Sequence, residues 1–290
     1  MIEDWVTFLI LGSIQGSIYA LLALGFSLVY GVGGILNQAH GAFYLITMYI
    51  FFWFYRNLAG FGLIVGMIVG LVIITIIGGL VYLLLIRPLK ESHVSVVIVT
   101  FAFAFFIEQV VKVFVDSLYH NMPTLIDGYI DVFGVKVYYH YILIIICSLG
   151  LLTLVILLIN KSKIGKSIRA VAQDSEAAEL MGINVDRVLA YTLMISAFLA
   201  GVAAILYVPV DIVAPHIGWG ILINSFSIVV LGGLGSLSGS ILGAFIISYA
   251  NSFTNFVLRL PELSALIPVI VIVVMLVIRP RGLFGKKEID

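Results

Sequence analysis

Charge is what this sequence has least of. Only 10% of its 290 residues are Asp, Glu, Lys or Arg, against roughly a quarter in an ordinary soluble domain. A water-soluble fold of this length could not hide the rest, because 62% of the chain is apolar or aromatic and the mean hydropathy is +1.23. Cysteine is nearly missing as well. Cys147 stands alone in the middle of an apolar run, which excludes a disulfide scaffold. The amino terminus lacks the basic start of a secretory leader. Met1-Ile2-Glu3-Asp4-Trp5 is acidic, so no cleaved signal peptide is expected, and Trp5 fits an interfacial anchor. There is no His-Glu-x-x-His and no Gly-x-Ser-x-Gly. Gly165-Lys166-Ser167 resembles the end of a phosphate loop, but the position where that pattern needs glycine is Asn160. Nothing reads as an active site, so the chain is not expected to be an enzyme.

What is present is apolar length. A helix needs about 20 apolar residues to cross a hydrocarbon core about 30 Å thick. The candidate segments are 7–30, 41–55, 61–86, 94–116, 141–160, 188–210, 221–232, 239–258 and 263–278. The expected fold is all-α, a polytopic integral membrane helical bundle of about eight to nine segments with glycine-broken helices, forming one domain over 1–290. Arg87-Pro88 and Arg279-Pro280 mark helix ends, because proline cannot continue the hydrogen-bond ladder. Pro261 fits the first turn of the last helix, and Pro268 should kink it. Segments 41–55 and 221–232 are short for full spans, so nine crossings is an upper count.

The few charges are unevenly placed. With the amino terminus outside, the inner loops hold Arg87, Lys90, Lys161, Lys163, Lys166, Arg169, Arg187, Arg279, Arg281, Lys286 and Lys287. The outer side holds Arg56, Lys112, Lys136 and Arg259. The positive-inside rule therefore predicts a cytoplasmic carboxy terminus and a cytoplasmic loop over 161–187. The longest outer loop, 117–140, is rich in tyrosine and is expected to fold partly onto the membrane.

Loop 161–187 carries a second pattern. Asp174 is a good N-cap, Glu176 lies in the first turn where the helix dipole favours an anion, and Gly182 suits the residue past the helix end. The intervening two turns place Ala177, Ala178 and Met181 on one face, shaped to dock into a groove on another protein. A solvated basic connector explains the lysines equally well, but not the caps.

Two apolar stretches are interrupted by glycine. One runs Gly31-Val-Gly33-Gly34-Ile-Leu-Asn37-Gln38-Ala-His40-Gly41-Ala-Phe43. The other runs Gly232-Gly233-Leu-Gly235-Ser236-Leu-Ser238-Gly239 through Gly243-Ala-Phe245. Each opens with Gly-Gly and closes with Gly-Ala-Phe, which reads as an internal repeat of halves 1–140 and 141–290. Broken segments at corresponding places point to a transport path, since lipid cannot satisfy free backbone groups. A plain cytoplasmic turn is the competing reading, and a re-entrant element would be both. His40 has no partner at ligand spacing, so no metal is expected there. Gly12-x-x-x-Gly16-x-x-x-Ala20 suits close helix packing, with Gln15 beside it at a possible subunit face. Glu108 and Lys112 are spaced to pair.

Here the sequence meets a family. Glu176-Ala177-Ala178-x-x-x-Gly182 resembles the EAA loop of ABC importer permeases, and Arg169 through Ile183 is similar to its form in LivH-type permeases for branched-chain amino acids. Tyr19 to Gly31, Asn37-Gln-Ala-His-Gly41, Leu231 to Gly239 and Arg279 to Gly285 resemble further landmarks of that family, in its order, over about residues 10–285. Gln38 departs from the family's usual phenylalanine. The resemblance implies inward movement of branched-chain amino acids. It also implies two cytoplasmic ATP-binding subunits, a second permease subunit of the LivM kind and an extracytoplasmic binding protein. ATP would be bound by the partners, with no cofactor on this chain. Arg169, Asp174, Glu176, Ala177, Ala178, Met181 and Gly182 would form the ATPase-docking loop. Gly33, Gly34, Asn37, His40, Gly41, Gly232, Gly233, Ser236 and Gly239 would line the path or its gate. A permease for urea or short amides, or an ion-coupled secondary transporter, remains the alternative.

Overall fold

The computed structural model describes residues 2–58, 60–115, 120–279 and 281–285. Pro280, Lys286 and Lys287, used above for a helix stop and for orientation, lie outside the described residues.

The helices are α1 (Ile2–Gly33), α2 (His40–Asn57), α3 (Gly62–Val81), α4 (His93–Phe114), α5 (Tyr139–Lys161), α6 (Lys163–Gln173), α7 (Ser175–Leu180), α8 (Val185–Tyr207), α9 (Ile217–Gly232), α10 (Leu237–Ser252), α11 (Pro261–Ser264) and α12 (Ile267–Ile278). Each candidate segment read from the sequence falls on these helices, with 263–278 divided between α11 and α12. Six are long and apolar enough to cross a membrane: α1, α3 with its extension to Leu89, α4, α5, α8, and α10 with its extension to Val257. A helix satisfies every backbone group within itself, which is why apolar runs of this length take that form in lipid. The outward faces of α3, α4 and α5 carry exposed Ile, Leu, Val and Phe, as lipid contact requires.

The sequence did not announce three features. Residues Tyr129–Val132 (β1) and Val135–Tyr138 (β2) pair antiparallel in the loop before α5, so the all-α fold carries one small hairpin. Pro268 does not kink the last helix. It lies in the first turn of α12, where its missing N–H has no intrahelical partner to lose, and a separate short α11 precedes it. Pro261 accordingly starts α11. Thirdly, α3 ends in a π turn over Tyr82–Ile86 and a 3₁₀ turn over Arg87–Leu89.

Two compact units are built from interleaved stretches of chain. One comprises Met1–Ser27, Thr124–Leu152 and Ile223–Asp290, the other Leu28–Pro123 and Thr153–Leu222. In the first, the small stripe of α1 packs on aromatic rings. A Cβ on Gly12 would strike the Tyr249 ring, and one on Gly16 the Phe245 ring. Ser13 Oγ and Tyr249 Oη share a 2.8 Å hydrogen bond. Trp5, Phe8 and Phe253 extend this cluster, and Arg259 pairs with Asp4.

In the second unit the core is α2, α3 and α8. Gly66 lies against Phe51 and Gly70 against Thr47, while Gly78 admits Ala197 and Gly201 admits Ile74 and Thr47. Glycine at each crossing lets backbones approach in a medium that offers no hydrophobic drive between helices. Of the spanning helices α8 is the most enclosed, with 67% of its apolar window buried.

Candidate functional site

The loop between α5 and α8 is fixed at every joint. Ser162 caps α6 by accepting from the Gly165 N–H at 2.8 Å. A Cβ on Gly165 would overlap the Leu158 and Ile159 carbonyls, so α6 sits hard against the end of α5. The Arg169 guanidinium donates to the Ile159 carbonyl. Arg169 therefore ties α6 to the open carboxy end of α5, where a cation and a donor are both favoured. Asp174 caps α7 by accepting from the Glu176 and Ala177 N–H groups at 3.0 and 2.9 Å. Gly182 takes φ +82°, and the Gly182 and Ile183 N–H groups return to the Glu179 and Ala178 carbonyls. This paired return closes the helix, and a side chain at that φ would be strained. Asn184 then caps α8.

One detail of the docking face differs from the expectation. Ala178 is 5% exposed and turned inward, whereas Leu180 and Met181 are 89% and 83% exposed. Six residues of helix with α6 and α8 on one side leave only part of the circumference free. The outward face is Ala177, Leu180 and Met181, and the small Ala178 is what lets α7 lie flat.

Just beyond α7, Asp186 gathers three partners that sequence reasoning missed. It accepts from Tyr82 Oη at 2.8 Å, Arg87 Nε at 3.0 Å and Lys90 Nζ at 2.9 Å. The first turn of α8 is thus tied to the π turn of α3. Arg87 and Lys90 are about half exposed, so their pairing adds little stability, but a buried Tyr82 hydroxyl left alone would cost roughly 1–3 kcal/mol. Beside them opens a cavity of about 620 Å³ lined in part by Gly33, Ile35, Lys90, Glu176, Glu179 and Asp186. The start of the first glycine break and α7 therefore share one end of this unit.

The first break is not a surface turn. Gly34, at φ +63°, ends α1 with its N–H on the Tyr30 carbonyl. The flanking Gly33 abuts Leu189, one turn into α8. The chain then runs without helix from residue 34 to 39. His40 begins α2 with Nδ1 3.2 Å from Ser196 Oγ. Ser196 lies 11 residues beyond Val185, about 16 Å at 1.5 Å per residue. The α2–α3 register agrees: it sets His40 level with Ile77, well short of Leu89 at the end of the α3 extension. Segment 34–39 thus climbs to about half of a 30 Å core before α2 starts. Along it Asn37 Oδ1 accepts from the Ala39 N–H at 3.1 Å, and the Gln38 N–H donates to Thr100 Oγ1 at 3.1 Å. Asn37 and His40 are both buried.

A matching segment comes from the opposite end. After α8 ends at Tyr207, residues 208–216 turn back, and Val213 bridges His120, which stacks on Phe52. Helix α9 then starts with Gly218 against Gly41, where a Cβ on Gly41 would overlap the Gly218 carbonyl. This explains why α2 and α9 looked too short: each begins part-way through the span. The Gly-x-Gly around Trp219 was the available signal, but its glycines sit in an apolar run with no polar residue between them.

The second glycine break does a different job. Ser236 caps α10 through the Gly239 N–H at 3.2 Å. The Leu231 and Gly232 carbonyls accept from the Leu283 and Phe284 N–H groups at 2.8 and 3.0 Å. Gly233 and Gly282 touch backbone to backbone. The last two carbonyls of α9 are thus taken by the chain's own carboxy-terminal turn. Gly232, Gly233, Ser236 and Gly239 all serve that closure, and the structure does not bring them together with Asn37 or His40 in one compact unit.

Apolar spanning helices, a re-entrant break and a capped connector between two spans define a multi-pass helical membrane protein. Comparison with known proteins gives the family. The family described as branched-chain amino acid transport system, permease component, matches residues 8–276. The chain is 30% identical to the high-affinity branched-chain amino acid transport system permease protein BraD of Pseudomonas aeruginosa, over 97% of this chain and 96% of that one. It is 29% identical to the LivH permease protein of Escherichia coli, over 96% and 95%. A probable LivH of Methanocaldococcus jannaschii is 27% identical over 94% and 90%. In fold it resembles a chain of PsaBC from Streptococcus pneumoniae in complex with Fab, with TM-score 0.53 at 15% identity over 97% of each chain. The chain belongs to the branched-chain amino acid permease component family. It is a transport component rather than an enzyme, multi-pass in the inner membrane, and it works with ATPase and other subunits.

Proposed function

We propose that this chain forms part of the inward path for branched-chain amino acids, the leucine, isoleucine and valine class. Its partners are a second, LivM-like permease, two cytoplasmic ATP-binding subunits and an extracytoplasmic binding protein. ATP binds only to the ATPase subunits, and the chain itself uses no cofactor. The amino terminus is outside, and loop 161–187 and the carboxy terminus are cytoplasmic. The observation that carries this reading is α7, a helix capped at both ends that presents Ala177, Leu180 and Met181 outward and leads directly into α8.

The mechanism follows from what α8 touches. Closure of the ATPase pair pushes α7, and the tight Gly182–Asn184 turn passes the push to the first turn of α8. Asp186 carries it to the end of α3. Leu189 bears on Gly33 and Ser196 on His40, so movement of one rod shifts both ends of the first break. Alternating access results from discrete repacking of this contact set, since tightly packed cores switch rather than flex.

The test is a pair of charge substitutions, Leu180→Arg and Met181→Arg, in the complete importer. Both side chains are exposed, so the chain should insert and fold, the ATPase subunits should fail to co-purify, and leucine uptake should be abolished. Normal co-purification with normal uptake would remove the docking reading. In the unaltered importer, uptake should persist with an uncoupler and stop on ATP depletion. Cysteines at Lys163 and Asp127 should label only from the cytoplasmic and outer side respectively, which fixes the orientation.

A further inference from the structure

We infer that Glu108 is a positioning residue for transport: it holds Trp219, and with it the start of α9, against the Gly41–Gly218 crossing and so keeps α2 and α9 shut on each other. The inference adds a residue to the transport reading above and rests on it. Glu108 lies 15 residues past His93, about 22 Å along α4, a helix long and apolar enough to cross a membrane. It is 6% exposed. A carboxylate buried in a spanning helix is costly unless it is paired and hydrogen-bonded, and such charges mark function by default. Both oxygens of Glu108 are used. Oε1 accepts from Lys112 Nζ at 2.5 Å, and Oε2 accepts from the Trp219 indole N–H. Lys112, on the same helix, supplies the compensating charge. The second oxygen is what joins α4 to α9, through a bond that carries charge and is about twice as strong as one to a neutral acceptor.

The place this bond holds is the crossing itself. Gly218, the second residue of α9, backs onto Gly41 so closely that a Cβ on Gly41 would overlap its carbonyl, and Trp219 follows directly. The Trp219 ring also packs on Phe101 of α4, with centroids 5.0 Å apart. Helix α4 thus grips the indole by its ring and by its N–H. Two turns before Glu108, Thr100 Oγ1 accepts from the Gln38 N–H at 3.1 Å, which fixes α4 to the segment leading into α2. One helix therefore clasps both sides of the crossing. Between the glycine contact and the Glu108 carboxylate about 10 Å³ of space remains, lined in part by Gly41, Glu108, Gly218 and Trp219. That is about the room of one water, so no amino acid fits there while the clasp holds. Parting α2 from α9 with α4 in place requires the indole to leave Glu108.

The test uses the complete importer in proteoliposomes and reads two quantities per assembled complex: leucine moved per ATP hydrolysed, and leucine lost down its gradient without ATP. Trp219→Phe deletes the indole N–H, keeps an aromatic ring on Phe101 and leaves the Glu108–Lys112 pair intact. The leak without ATP should rise about tenfold or more, the shift in open population expected from losing one hydrogen bond to a charged group, and leucine per ATP should fall. A purely packing role would reduce the amount of complex without opening a leak, so an unchanged leak overturns the assignment. Glu108→Gln keeps an acceptor for the indole and removes the charge. Glu108→Asp keeps the charge and shortens the reach by one methylene. A positioning role requires the Gln variant to stay close to the unaltered importer and the Asp variant to leak like Trp219→Phe. The opposite order, which would make Glu108 an ionising group in the transport step, overturns the assignment, and so does equal behaviour of the two. If the Glu108 variants do not assemble, Trp219→Phe decides alone. Failure of the unaltered importer to take up leucine is a separate result, which defeats the transport reading itself.

Discussion

The two glycine breaks, 33–41 and 232–239, look alike as text and differ as structures. In the second, the Leu231 and Gly232 carbonyls at the end of α9 are met by the Leu283–Phe284 turn, and Ser236 caps the next helix. In the first, the chain climbs into the span, buries Asn37 with a donor unmet, and starts α2 without a cap. Satisfaction of polar groups separates them. A break whose groups are all paired is architecture, and one that leaves a donor buried retains capacity for a ligand or a moving part.

That contrast can be broken most forcefully at Asn37. Asn37→Leu removes the amide from the first break and should reduce uptake per assembled complex by more than about tenfold, with ATP hydrolysis continuing uncoupled. Uptake and ATPase rate measured together in proteoliposomes decide it. An unchanged ratio would place both breaks in the structural class. The counterpart in the second break is Leu283→Pro, which deletes the N–H given to the Leu231 carbonyl. The lost bond and the orphaned carbonyl together cost about 1–3 kcal/mol. The amount of folded complex should fall several-fold, while the surviving complexes transport normally per molecule. Quantifying membrane-extracted complex beside uptake checks this, and defective transport by those survivors would blur the distinction.

A smaller effect is expected where the first break meets α7 and the start of α8. Asp186→Ala frees Arg87, Lys90 and the buried Tyr82 hydroxyl, so motion of α7 should reach the break less faithfully. Amino acid moved per ATP hydrolysed should drop a few-fold, and Asp186→Asn, which keeps acceptors for Tyr82, should recover part of it. Equal coupling in all three would mean that Asp186 only tethers. The smallest change should come from Ser236→Ala. Loss of one N-cap costs about 1 kcal/mol, so the thermal midpoint should fall by a few degrees with transport unaltered. A transport defect there would move the second break toward the path.

The helical ends were readable because their signals are local. Asp174, Gly182 and the prolines act on the backbone within a few residues, and the structure places Asp174 and Gly182 as the caps those residue types suggest. Pro268 shows the limit. Its ring forbids an interior helical site, but whether it kinks one helix or starts another depends on where the preceding residues can break. Ala178 shows another, since which part of a helix is free depends on its neighbours α6 and α8.

The sequence by itself determined the medium and the class. Sparse charge, nine apolar stretches, the lysine and arginine bias and the order of motifs required a helical membrane permease, because burying apolar length and satisfying backbone in lipid admit few solutions. Tertiary structure alone decided depth and partnership. Asp186 with Tyr82, His40 with Ser196, Gly41 with Gly218 and Glu108 with Trp219 pair residues from 104, 156, 177 and 111 positions apart. Such pairs leave no period or spacing in the chain. They arise because helices crossing at glycine bring distant backbones close enough for side chains, otherwise unremarked in apolar runs, to become partners.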